Sequence, residues 1–179
     1  QVASRFGTSS RVGYLPDTFG HPAQLPMILS GFGIESFCFR RGANDETVAL
    51  PSEFMWESAD GSRVLALYLS QGYSNAGFLP DSPDESARRL EAVAQQLLKR
   101  ASSDTIVLMN GCDHAVPTDL SETLQRLAER TGATVLPGSA DLAAERYAAT
   151  ARRDLLAFEP SPYREALEAL PGFVLARDH

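Results

Sequence analysis

The run Thr105–Met109 (TIVLM) carries no charge or polar alternation and leads straight into Asn110-Gly111-Cys112-Asp113-His114. A strand that is apolar on both of its alternating faces has to be covered from both sides. This is the situation of a parallel strand between layers of helix. Two further apolar runs end the same way. Val12–Leu15 stops at Pro16-Asp17, and Ile34–Phe39 stops at Arg40-Arg41-Gly42. Between them, Leu25, Ile28, Leu29 and Phe32 repeat with helical spacing. Pro26 has no N–H to donate and belongs in the first turn. A helix is therefore predicted from about Ala23, ended by Gly31 and Gly33.

Phe54–Glu57 and Arg63–Leu69 flank Ala59-Asp60-Gly61-Ser62, and an Asp-Gly pair between β-rich runs predicts a hairpin. Ser82-Pro83-Asp84-Glu85 reads as a capping box with proline at the first helical position. The helix it opens carries Leu90, Val93, Leu97 and Leu98 and runs to about Arg100. Leu120, Leu124 and Leu127 mark another helix, Ala133–Leu136 a short strand, and Ala140–Tyr147 a last helix. The expected fold class is α/β: a mostly parallel sheet flanked by helices, with one hairpin.

Composition narrows the function. The net charge is −7, from 16 basic and 23 acidic residues, which disfavours nucleic acid and anionic membranes as partners. No apolar run is long enough to span a membrane. Cys38 and Cys112 are the only cysteines, both in or beside apolar runs, and are expected to be reduced and buried in a cytoplasmic protein. The chain begins at Gln1 and stops at His179 after LPGFVLA, so both ends are expected to be cuts in a longer protein.

In parallel α/β folds the loops that leave the carboxyl ends of the strands converge on one face, where ligands bind. Asp17 with His21, Arg41 with Gly42, and Asp113 with His114 fall in such loops, and Tyr73 lies in a fourth. Two carboxylates on rigid strand ends across one cleft are the minimal equipment for cleaving a glycosidic bond. Each residue also has a plain reading. Asp17 is equally a turn or capping aspartate, and Asp113-His114 equally a helix cap. His21 suits holding its turn, Arg41 a surface charge, and Tyr73 and Trp56 the core. Cys112 beside His114 resembles a thiol–imidazole pair, but adjacent residues on a strand end usually point apart, which disfavours a cysteine nucleophile. Neither H-x-x-x-H nor C-x-x-C occurs.

In order, GYLPDTFGHPAQLPMILSGFGI, FCFRRG, EFMWESADGSRVLALYL, GYSNA and LMNGCDHAVP resemble the catalytic domain of the family 38 glycoside hydrolases, the retaining α-mannosidases. The final LPGFVLARDH resembles the stretch that leads into that family's helical bundle. The resemblance implies a zinc-dependent enzyme on a distorted (β/α) barrel, acting on a mannose-containing oligosaccharide or glycoside. Residues 1–179 would then be the C-terminal portion of the barrel. Asp17 would be the nucleophile and a zinc ligand, and Asp113 the general acid/base. Arg41 would support the nucleophile, and Tyr73 and His114 would line the substrate pocket. The H-x-D motif of the family's first strand and a later histidine ligand are both missing from this sequence. The remaining zinc ligands are thus expected outside it, and the isolated chain is expected to be inactive. An open sheet edge would make a homo-oligomer feasible. A metal-dependent carbohydrate deacetylase and a non-catalytic sugar-binding domain are the rival readings.

Overall fold

The computed structural model describes residues 5–7, 9–42 and 50–155. Among them the elements run β1 (Val12–Leu15), α1 (Leu25–Gly31), β2 (Ser36–Phe39), β3 (Glu53–Glu57), β4 (Arg63–Tyr68), α2 (Pro83–Leu98), α3 (Ser121–Thr131) and α4 (Ala140–Leu155). The strands form one sheet in the order β1-β2-β4-β3. The β1–β2 and β2–β4 pairs are parallel, and β3–β4 is the antiparallel hairpin. The class is therefore mixed α/β with a mostly parallel sheet, open at β1 and β3 among the described residues.

The period-2 alternation of the strands sorts two cores. Phe37, Phe39, Val64 and Ala66 face one side, with Phe54 and Trp56 beside them, and meet Leu25 and Leu29 of α1. Val12, Cys38 and Leu67 face the other side and meet Ala144 and Tyr147 of α4. The hairpin turns where expected. Gly61 takes φ +84°, and Asp60 accepts from both the backbone N–H (3.1 Å) and the hydroxyl (2.6 Å) of Ser62. The buried Ser58, at the end of β3, donates to Ala23 O (3.0 Å) and accepts from Met27 N–H (3.1 Å), which ties the hairpin to the start of α1. The Ser82 side chain accepts from Glu85 N–H, so α2 starts at its predicted cap.

Four expectations need correction. Thr105–Met109 is not a strand of the sheet. It is still covered on both sides: Val107 packs on the Cys38–Tyr147 core, and Leu108 on a third core of Ala76, Ala87, Leu90 and Leu127. At its end Met109 N–H donates to Asn75 Oδ1 at 2.8 Å, a side chain in the place a neighbouring strand's carbonyl would take. Ala133–Leu136 is likewise unpaired, with Val135 packed on the third core. The helix stripes are narrower than predicted. In α1, Leu25 and Leu29 are buried, while Ile28 and Phe32 stand at 44% and 81% exposure, because a two-turn helix offers the sheet a single row. In α2, Leu98 is 49% exposed. Finally, Cys38 is buried but Cys112 is only half-buried. Burial, and then Asp141, push the Cys38 thiol up to about 12, which disfavours the thiolate. The terminal LPGFVLARDH stretch lies outside the described residues.

Candidate active site

Because β1, β2 and β4 run parallel, the loops after them leave from one end of the sheet. Asp17 follows β1, Arg41 follows β2, and Tyr73 follows β4. Asp113 comes after the Thr105–Met109 segment, and two asparagines bring its loop to the same end. Met109 N–H donates to Asn75 Oδ1 (2.8 Å), Ala76 N–H donates to Met109 O (3.0 Å), and Asn110 Nδ2 donates to Ala76 O (2.7 Å). Gly77 lies so near that a Cβ there would stand 3.2 Å from Gly111 O.

Asp17 is ion-paired through Oδ1 with Arg41 Nε, and both side chains are about half exposed. This pairing, first a hydrogen bond and then a charge interaction, holds the Arg41 guanidinium above its ordinary value. The guanidinium also lies 5.1 Å over the ring of Phe19, itself 83% exposed. The Tyr73 hydroxyl feels both carboxylates. Asp113 most, and Asp17 next, raise its pKa, with Cys112 adding to them and Arg41 opposing. Tyr14 on β1 is raised by burial first, then by Cys38, Tyr73 and Asp113. Both phenols thus carry an upward push from the Asp113 carboxylate, and Tyr73 a further one from Asp17.

The capping readings do not describe these aspartates. The residue preceding α1 is Gln24, and α3 starts at Ser121, where Asp119 accepts from Ser121 N–H at 2.9 Å. Asp17 instead meets Arg41 across two loops. Asp113 and His114 sit on a turn in which Ala115 N–H donates to Cys112 O (3.0 Å), and exposed His114 takes the left-handed φ of +62°. Trp56 packs in the core, as its plain reading has it.

His21 holds more than its own turn. Its Nε2 bonds Arg41 O at 2.9 Å, and its ring meets Phe37, Phe39 and Trp56 edge-on. Beside it Gly42 takes φ +86°, and a Cβ there would fall 2.9 Å from Gly20 N, Gly20 Cα and His21 Cδ2. Gly42→Ala meets both obstacles at once. We expect it to lower stability by about 2 kcal/mol in urea denaturation, with no matching loss for Gly31→Ala, where the added Cβ meets open space. The sequence reading gave no role to Asn75, Asn110 or Phe19, although each lies inside a motif it singled out.

The described residues do not by themselves fit a zinc ion. Asp17 is the one ligand the resemblance gives this chain, and its Oδ1 faces Arg41. Among the described residues, no group of three or more His, Cys, Asp or Glu side chains is placed to hold a metal.

Fold and site together define a mixed α/β domain whose parallel strands present an arginine-paired aspartate at one end, with a second carboxylate on a loop tied to that end. Residues 2–163 match the model of the glycosyl hydrolases family 38 N-terminal domain, and the chain belongs to that family. It is similar to a protein of Halalkalibacterium halodurans assigned as a mannosylglycerate hydrolase, 32% identical over 126 residues, covering 64% of this chain and 14% of that protein. It is also similar to alpha-mannosidase 2C1 of Mus musculus, 44% identical over 61 residues, covering 34% of this chain and 6% of that protein. The crystal structure of an alpha-mannosidase from Enterococcus faecalis V583 matches 73% of this chain and 15% of its own length, with a TM-score of 0.65 and 25% identity. The chain thus spans at most about a seventh of these relatives.

Proposed function

We propose that this chain supplies both reacting carboxylates of a larger α-mannosidase-type glycosidase, which works with retention through a covalent mannosyl-aspartate. The observation that carries this reading is the Arg41-paired Asp17, with the Asp113 loop tied to the same end of the sheet, in a chain of family 38. The relatives' names share a mannose-bearing substrate. In this reading the open sheet is one sector of a distorted barrel.

Asp17 attacks the anomeric carbon. Arg41 on Oδ1 supports that role, since it orients the carboxylate, while Oδ2 has no partner among the described residues. Asp113 gives its proton to the departing oxygen, then takes one from the water that releases the sugar. Tyr73 and His114 face sugar hydroxyls, and Phe19 offers an aromatic surface to the ring's C–H face. The asparagine clamp keeps the Asp113 loop at a set distance from the others, and retention requires the two carboxyl groups to stand about 5–5.5 Å apart. The full-length protein is expected to hydrolyse aryl α-mannosides and to give α-mannose as first product by NMR. A β-anomer as first product, or no hydrolysis, would overturn the reading.

The zinc of this family would draw its other ligands from outside the described residues, with Asp17 contributing one. Zinc asks for about four ligands. In equilibrium dialysis the isolated chain is therefore expected to show no stoichiometric zinc site of sub-micromolar affinity. Such a site would show that the ligand set lies within these 179 residues.

A further inference from the structure

We propose that His21 is a positioning residue, one that fixes the Asp17–Arg41 pair by locking the loop after β1 to the loop after β2. This inference rests on the glycosidase reading above. Three independent contacts carry it.

The first is the bond from His21 Nε2 to Arg41 O, 2.9 Å long and 20 residues apart in sequence. A carbonyl oxygen only accepts, so Nε2 carries the proton and donates it. Thr18 Oγ1 stands 3.5 Å from the same nitrogen. The second contact is the aromatic box. Phe37, Phe39 and Trp56 meet the imidazole at centroid distances of 5.3, 5.4 and 6.1 Å, with interplanar angles near 80°. Phe37 and Phe39 belong to the buried core of the sheet and Trp56 packs against it, so the imidazole is referenced to strands rather than to the loops. The third is the backbone contact of Gly42 with Gly20, which leaves no room for a Cβ.

The histidine therefore reads out the position of the core and passes it to the Arg41 backbone, whose side chain then holds Asp17. A core histidine with a merely structural part would need a partner, but not this one. Bonding the main chain of the very residue that pairs with the candidate nucleophile makes the orientation of the carboxylate depend on the His21 N–H. Misplacing a reacting group by about 1 Å costs on the order of 100-fold in rate.

The test is a pair of substitutions in the full-length protein. His21→Met keeps the bulk inside the aromatic box and removes the donor; His21→Gln has similar length and restores an N–H. On an aryl α-mannoside, His21→Met is expected to lose about 100-fold in kcat with KM changed less than about threefold, and His21→Gln to stay within about fivefold of the parent. Crystal structures should show the Asp17–Arg41 pair displaced in the Met variant and intact in the Gln variant. Equal losses for two folded variants, or a pair undisturbed in His21→Met, would overturn the proposal. If His21→Met does not fold, His21→Gln decides alone: near-parent kcat supports the role, and a 100-fold loss in a folded protein contradicts it. Should the parent hydrolyse no mannoside, the glycosidase reading fails, and the two crystal structures still decide whether His21 sets the pair.

Discussion

Asp17→Asn in the full-length protein is expected to abolish turnover of every mannoside, whatever its leaving group. An amide is a poor nucleophile toward carbon and cannot form the glycosyl ester, so no choice of aglycone relieves the loss. Removing a covalent nucleophile costs on the order of 10⁴-fold or more, about 5 kcal/mol of transition-state stabilisation. The loss should not come from unfolding. Asp17 and Arg41 are half exposed, and an exposed ion pair contributes little to stability. Circular dichroism and a melting temperature close to the parent's would separate lost chemistry from lost structure. Activity within tenfold of the parent would remove Asp17 from the mechanism.

Asp113→Asn should behave differently, and the difference is diagnostic. It removes the proton donor, which matters most when the leaving group is a poor one. General acid/base help contributes about 10²–10⁴-fold, so that is the loss expected on an alkyl or unactivated aryl mannoside. With a dinitrophenolate leaving group the first step needs little protonation and is largely spared. The second step, deprived of its base, then limits the rate. Azide needs no deprotonation, so it is expected to restore turnover and give α-mannosyl azide, of retained configuration. Kinetics over a series of aryl mannosides of graded leaving-group acidity, with and without azide, checks this. The same loss on all of them, with no azide effect, would return Asp113 to a turn residue.

What could be read from the sequence was local. The Asp60-Gly61 hairpin and the Ser82 cap follow from turn and cap chemistry that acts within a few residues. The order of strands and helices followed from hydrophobic period. TIVLM reads as a strand yet forms none, because pairing is not local: an apolar run covered on both faces looks the same whether or not a strand lies beside it. Here Asn75 takes the Met109 N–H that a neighbouring strand would have taken. The site divides along the same line. Asp17, Arg41, Tyr73 and Asp113 could be picked out because each follows an apolar run into a polar loop. The bonds that gather them span 20 to 34 residues, most of them side chain to backbone, as in His21 to Arg41 O and Asn110 to Ala76 O, and leave no periodic trace.

The central claim is that Asp17 becomes covalently bonded to the sugar. A 5-fluoro mannosyl fluoride tests it most directly. Its ring fluorine destabilises the positively charged transition states of both steps, while its good leaving group keeps the first step fast enough for the intermediate to accumulate. After incubation with the full-length protein and proteolysis, mass spectrometry should find the fluoromannosyl adduct on the peptide spanning Gly13–Pro26, with fragmentation placing it on Asp17. An adduct on Asp113 or on any other carboxylate, or steady turnover of the reagent without any adduct, would contradict the account.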